Sequence, residues 1–582
     1  MLGQVASTGG GDTAKIVAKR RGRETYYYYH SAHRVKVSPS DRGGKGPGSG
    51  PSRVVSEDIY LGTADAVLKA VREGPKKVAP RAFGLVMAAY TVVEELGVRD
   101  VVDELVPRKG PGLSVGTYIA LAVVAKVAAG GTSWRSFGAW VEKTTLARVL
   151  ALPQPLLDSQ NFWDAFDRIL PEGAHRQSQA GKQEPVLDDE ILLKIEERIV
   201  RRMLERYPID LSTLLLDYTN FFTYAAAENP SRLLKAGHNK AGRHEKRQVS
   251  LALVATRQMA LPLLHLTYPG NWNDHQVFPE VLVRLVERLE AVAGPVERKL
   301  VFDRGQNSAK NLHRLAAAHL KAVGGLVPSQ HRDLLKLPVE ESPEMIGDLR
   351  VLRAEKKVYG GHDAAVVILY SEKLAKKQHL VFDQALRRLK AQMRKAYQAH
   401  REDEPEALLD ALQRTHERSR LRGFLDWDFR PDGTLSLRRN PEAWREKQLE
   451  FGKRLLFSTQ KDLSTQAIVT LYNQDKAQIE NDFHLIKSPD ILRFSPVRHF
   501  TDTKIRIYGF ICVIALMVFK LIQFRTRELQ LSPESLVTEL SAIQEIILIY
   551  STARARRTIS ECSTIQKRLL DIFDLQRFLP AD

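Results

Sequence analysis

Residues 472–487 read YNQDKAQIENDFHLIK. Wound as a helix at about 100° per residue, this stretch places Tyr472, Lys476, Glu480 and Lys487 within roughly 80° of arc. One carboxylate is then flanked by two cations and a phenol on a single face. Ile479, Phe483 and Ile486 form the adjoining apolar stripe, so the helix has a side to bury. A lone carboxylate between Lys and Tyr suits a site that holds a cation and a phosphate together. The same residues also suit a solvated surface helix with a favourable Lys476/Glu480 pair at i,i+4. The rest of the chain has to choose between the two.

Upstream, the period changes from helical to strand-like at Leu211. LSTLLLDYTNFFTYA reads as a buried strand, a tight turn and a second strand, with Asp217 ending the apolar run. QVSLALVAT and LPLLHLTYPGN give a further strand pair about Arg257–Ala260, and an amphipathic helix starts near Asn273. KLVFDRGQNS is an apolar strand ending in Asp303. Ser308 opens the helix SAKNLHRLAAAHLKAV, and GGLVPSQ, 324–330, is a short strand. This β-β-β-α-β-α-β order implies a mixed α/β sheet covered on both faces, with sites at strand ends. Residues 332–457 interrupt it as an inserted subdomain: strands, one long basic helix, a second helix and a hairpin turning at Pro431-Asp432-Gly433. KRLLFST is one more strand before the Tyr472 helix.

Asp217 and Asp303 at strand ends and Glu480 on a helix suit a two-metal site. Hard divalent cations want carboxylate oxygens, and a pair of them can drive an in-line phosphoryl displacement. The formal net charge of +18 and pI near 9.6 favour a polyanionic partner, nucleic acid or an anionic membrane. Two cysteines, Cys512 and Cys562, supply neither a disulfide framework nor a Cys-rich zinc site, and fit a reducing cytosol. MLGQVASTGG has no apolar run of the secretory kind. The apolar stretch Ile507–Phe519 is 13 residues, short of the roughly 20 a spanning helix needs, and reads as a core helix.

The remaining segments are read in outline. Residues 1–20 are expected to be disordered. ETYYYYHSAHRVKV and RVVSEDIYLG suggest a hairpin around a Gly/Pro/Ser-rich connection, with Tyr26 to Tyr29 either packed or stacking on bases. Residues 63–205 read as short helices forming a DNA-binding region, one capped by Asp158 or Ser159, with a loop at 172–188. Residues 533–582 read as one or two amphipathic helices that include RARRTIS. The expected divisions are 1–62, 63–205, 206–331, 332–457, 458–530 and 531–582.

DYTNFF, then TYPGNWND with VFDRGQNS, then YNQDKAQIENDFHLIKS resemble in order the three acid blocks of the DDE transposases of bacterial and archaeal insertion sequences. The nearest likeness is to the insertion-sequence-four superfamily, to which the Tn-five transposase belongs. It covers residues 211–330 and 451–525. The resemblance implies an RNase H-like catalytic core, a mixed five-stranded sheet with helices on both faces, interrupted by a β-rich insertion that holds DNA. It implies that Asp217, Asp303 and Glu480 are the catalytic triad and bind two Mg²⁺ or Mn²⁺ ions. Tyr472 and Lys487 align with signature residues that contact DNA phosphates. The signature, Tyr-x2-Arg-x3-Glu-x6-Lys, puts its Arg where this chain has Asp475, and the role is carried to Lys476. Arg304 is a further DNA-binding candidate and Asn307 a turn former. Trp427 and Trp444 are candidates to receive a flipped base or else belong to a core. His499 orients the third block or is a core histidine. His238 and His244 have no ligand-like spacing with the acids. The implied protein is a cytoplasmic, nucleoid-associated transposase without a membrane partner. It would bind inverted-repeat ends as a homodimer on double-stranded DNA, then cut and join. The alternative is an inactive DNA-binding relative acting as a regulator.

Overall fold

The computed structural model describes residues 13–22, 24–36, 52–65, 68, 74–107, 112–129, 133–170, 190–226, 228–237, 242, 245–294, 296–488, 491–492, 497–549 and 555–579. The Gly/Pro/Ser-rich interval at 41–51, the loop at 172–188, and His238 and His244 lie outside them. Two compact units result: Met1–Phe83 with Ile543–Ser563 and Gln576–Asp582, and Gly84–Ala542 with Thr564–Leu575.

The first unit holds two small sheets. Thr13–Arg21, Glu24–Lys36 and Ser52–Thr63 pair antiparallel, so the expected hairpin gains a third strand from residues expected to be disordered. Lys19 lies 4.7 Å from the Tyr28 ring. Lys77–Ala82, Gln544–Ile549 and Ala555–Ile559 form the other sheet. The described part of RARRTIS, Ala555–Ile559, is therefore a strand, not a helix: its β-branched Thr558 and Ile559 pair with Ile546 and Glu545.

The second unit is built on a ten-stranded mixed sheet. Its main strands are β1 (Thr213–Phe222), β2 (Arg247–Thr256), β3 (Pro262–Pro269), β4 (Arg298–Phe302), β5 (Leu320–Gly325), β6 (Leu349–Val358), β7 (His362–Tyr370) and β8 (Lys453–Ser458). Along it run β6-β7-β8-β5-β4-β1-β2-β3. β1, β4 and β5 are mutually parallel, and every other pairing is antiparallel. β1 is central and packed on both faces, which is why its sequence is near-continuously apolar rather than alternating.

Eight helices matter here: α1 (Val115–Ala128), α2 (Glu190–Arg206), α3 (Asp274–Ala293), α4 (Ala309–Ala317), α5 (Glu372–His400), α6 (Pro405–Glu417), α7 (Lys476–Lys487) and α8 (Asp502–Arg525). Several starts lie where side chains predict them. Asn273 and Gln276 form a reciprocal capping box on α3, Ser308 caps α4, and Asp158 caps Ser159–Ile169.

Three local expectations are corrected. The chain does not turn within LSTLLLDYTNFFTYA; its ladder to β2 runs unbroken from Leu214↔Thr256 to Phe222↔Gln248. Asp217 is thus mid-strand, and Asp217 and Thr219 are polar because lysines of α7 meet them. α4 stops at Ala317, since His319 takes a left-handed φ of 54°, and the next strand begins at Leu320, ahead of 324–330. The sheet is not limited to five strands: β6 and β7 extend it from within residues 332–457. Within that insertion helices hold more residues than strands, and α5 and α6 pack around Phe382, Leu386, Leu389, Met393 and Leu412. Trp427 and Trp444 are partly buried against this cluster and take the core reading.

α8 is long and apolar enough to cross a membrane, with mean hydropathy 2.2, but 94% of its apolar window is buried inside the protein. Its length is spent on packing against α1, α7 and β3. A sealed ionic cluster ties α2 to the sheet. Glu196, fully buried, accepts from His265 Nδ1 at 2.6 Å and lies 3.2 Å from Arg288 of α3. Arg288 also donates to the Leu263 and Leu193 carbonyls at 2.6 and 2.7 Å. Desolvation alone would raise the Glu196 carboxyl, and His265 and Arg288 together carry it below its ordinary range.

Candidate active site

Strand register brings the first two acids together. β1 and β4 are parallel, with Thr213 opposite Lys299 and Leu215 opposite Val301. Continued in the same direction, the two stretches bring Asp217 and Asp303 to one place, each with a carboxylate within 4 Å of Lys476 Nζ. Asp303 directly follows β4, as expected. Asp217 is buried, with its side chain 8% exposed, whereas Asp303 and Glu480 open to a cleft at 46% and 58%.

The third acid arrives on α7, and the atom at the centre is Lys476 Nζ. It lies 3.2 Å from Asp303, 3.3 Å from Glu480 and 3.8 Å from Asp217. Burial opposes its charge, but Asp217, Asp303 and Glu480 outweigh burial and raise its pKa. Three side chains distant in sequence thus converge on one cation. Among the described residues no three carboxylate or imidazole groups are close enough together to hold a metal ion directly. The carboxylates are spaced around the ammonium.

α7 is preceded by a single π-helical turn, Leu471–Asp475. Such a turn accommodates one extra residue without rotating the flanking helices out of register. Tyr472 is eight residues before Glu480, and its hydroxyl donates to Asp303 at 3.1 Å. Burial and the Asp303 charge both raise the Tyr472 phenol. The ring lies over Gly325 at the end of β5, where a Cβ would stand 2.7 Å from the phenolic oxygen. Asp475 turns away and pairs with Arg257 at 2.7 Å.

The other candidates surround this point. Arg304 is exposed on the cleft rim, beside Gly325. Asn307 donates to the Gly325 carbonyl and so joins the loop after Asp303 to β5, a turn-shaping role. Lys487 Nζ donates to Thr219 Oγ1 at 2.6 Å and lies 5.4 Å from the Phe221 ring, further along β1. The cleft, ≈540 Å³, is also lined by Arg454 and Asn473, which sequence reasoning missed. So too were Thr219, Gly325 and the Arg257–Asp475 pair. The only sequence signal for any of these was polarity inside an apolar run, at Thr219. His499 is outside the cleft, between Trp163 at 5.2 Å and Tyr508 at 4.4 Å. Burial, then Lys126 and Lys504, push its pKa down to about 3.

The buried side of α7 is fixed by an ion pair. Asp482, fully buried, lies 2.6 Å from Lys520 of α8. Desolvation pushes the Asp482 carboxyl up to about 7 against the pull of Lys520. Glu480, two residues earlier, lines the cleft.

The chain is similar to the piggyBac transposase seen in a cryo-EM synaptic complex with hairpin DNA, at 11% identity, covering 87% of this chain and 88% of that one, TM-score 0.37. It is also similar to the Mos1 transposase of a paired-end complex with the left transposon end, at 10% identity, covering 37% of this chain and 60% of that one, TM-score 0.15. No curated protein sequence matches. Residues 210–518 match the family described as Transposase DDE domain. That span is more than half of the 582 residues and includes β1 through α7, with all three acids. The chain belongs to the DDE-domain transposases.

Proposed function

We propose that the protein cuts DNA at the inverted-repeat ends of its own insertion sequence and joins the freed 3′ ends to target DNA, with Asp217, Asp303 and Glu480 as the catalytic, metal-holding acids. The observation that carries this reading is their convergence within 4 Å of one buried cationic nitrogen. The order β3-β2-β1-β4-β5, with β4 and β5 parallel to β1, supports an RNase H-like core. The acid blocks favour the insertion-sequence-four, Tn-five-like branch.

The residues fit a hard divalent ion: the donors are carboxylate oxygens, and they already gather round positive charge. When bound, Mg²⁺ or Mn²⁺ supplies the Lewis-acid charge that a phosphoryl displacement needs at its attacking and leaving oxygens. The chain's residues do the rest. Asp217 and Asp303 are fixed by adjoining parallel strands, so they bring a rigid pair of ligands. Tyr472 orients Asp303 through its hydroxyl. Arg304, Lys476, Lys487 and Tyr472 hold the scissile strand's phosphates and so set its direction across the acids. The excess of 18 positive charges provides general affinity for duplex DNA, with steep salt dependence. A second copy pairs with the first on the DNA, and the protein works in the cytoplasm on the nucleoid.

The test is a Mg²⁺-dependent nicking assay on duplex carrying the inverted repeats that flank the gene. Asp217→Asn, Asp303→Asn and Glu480→Gln are each expected to lower cleavage by at least about 10³-fold while DNA binding survives. An acid whose variant cuts normally is misassigned. Wild-type protein that binds but never cuts is instead a regulator.

A further inference from the structure

We propose that Lys476 is the site's own resident cation: its ammonium holds the three acids together until a divalent metal displaces it into the cleft, where a DNA phosphate receives it. The inference rests on the acids being those assigned above. It deepens the role of Lys476 from a phosphate contact to a switch between two partners.

The geometry points this way. Lys476 is 4% exposed, and its nitrogen touches all three carboxylates. Among the described residues three carboxylates share this one ammonium, so a dication, with twice the charge, competes for the same oxygens. The nitrogen stands between the three carboxylates, and among the described residues no three such groups are close enough together to hold a metal ion directly. A dication and an ammonium at ionic-contact distance repel strongly, so the two cannot share the site. The lysine therefore has to leave, and it has the means. Its four-carbon stem is flexible. It also sits one residue after the π turn and lines the cleft beside Arg304 and Tyr472. Outside the cluster the ammonium needs a new anion, and the backbone phosphate of bound DNA is the chemistry at hand. By linkage, DNA that takes the ammonium raises metal affinity, and metal raises DNA affinity by the same factor. Metal charging then follows DNA capture and is disfavoured on the free protein.

The probe is Mn²⁺ alone, titrated into the full-length, DNA-free protein and read by the loss of its free EPR signal. Lys476→Met is expected to bind Mn²⁺ at least about 10-fold tighter than wild type. Lys476→Arg, which keeps a cation there, is expected to stay within about 3-fold. Lys476→Met binding no tighter than wild type overturns the proposal. If Lys476→Met fails to fold, the wild type decides: adding end duplex is expected to tighten Mn²⁺ binding at least about 10-fold, and an unchanged affinity overturns the proposal. Asp217→Asn separates this failure from failure of the proposed function. If it binds Mn²⁺ as wild type does, the acids are not the ligands and both readings fall. If it loses Mn²⁺ while Lys476→Met gains nothing, only the lysine's displacement is refuted.

Discussion

The second unit contains two buried clusters of opposite charges that differ in one respect. Around Glu196 the carboxylate is matched by Arg288 and His265, and all three side chains are sealed, at 0%, 4% and 6% exposure. Around Lys476 three carboxylates face one ammonium, and two of them open to a cleft. A balanced, sealed cluster has its desolvation offset internally and has nothing to offer a ligand. A half-open one, in which three acids share one ammonium, keeps carboxylate oxygens accessible from the cleft. Carboxylates left open at a cleft distinguish a site from a brace.

The largest effect should come from breaking the brace. Glu196→Gln leaves Arg288 buried without its counter-charge and is expected to cost about 3–5 kcal/mol in denaturant unfolding. Asp217→Asn leaves Lys476 with two of its three carboxylates, so no buried charge loses its last partner, and it is expected to cost less than Glu196→Gln by about 2 kcal/mol. Comparable losses for the two variants would mean that both clusters are structural.

A smaller effect distinguishes the histidines. His265 meets a carboxylate, whereas His499 is set between Trp163 and Tyr508 with Lys126 and Lys504 as its charged neighbours. Its folded pKa, pushed down to about 3, lies below the unfolded value. Below that unfolded value, about 6.5, the unfolded chain takes up a proton that the native state refuses. The stability present above pH 6.5 is therefore lost as pH falls toward 3, by at most about 1.4 kcal/mol per pH unit for this one group. His499→Phe is expected to flatten that slope in unfolding titrations between pH 6.5 and 4.5. A slope unchanged by the substitution would locate the acid sensitivity elsewhere, with the sealed cluster as the next place to look.

What was legible in the sequence divides along the same line. Apolar runs ending in acids gave the sheet's centre, because a strand packed on both faces has little room for polar residues. A polar residue that interrupts such a run is therefore conspicuous, as Asp217 was, although it read as the strand's end rather than its middle. Helix starts were legible at Asn273 and Ser308 because the cap is a local hydrogen bond. The single-strand course of β1 was not: Asp-Tyr-Thr-Asn has the composition of a turn, and the lysines of α7 that meet Asp217 and Thr219 lie more than 250 residues away. The π turn was likewise hidden. The strand made by RARRTIS depends on pairing with Gln544–Ile549, which local pattern does not carry.

The smallest expected effect tests where the cationic face of α7 changes role. Lys487 follows Glu480 by seven residues, two helical turns, so it shares the acids' face but lies beyond their reach. Its ammonium donates to Thr219, two residues along β1 from Asp217. A phosphate contact there would lie next to the cut rather than at it. Lys487→Ala is then expected to lower the magnitude of the slope of log K against log salt by about 1. Mn²⁺ binding should be unaffected, since this cation neutralises backbone charge and does not occupy the acids' centre. If affinity falls but the salt slope holds, the loss comes through Thr219 and the set of β1. Lys487 would then belong with Arg288, as part of the frame that holds the acids in register.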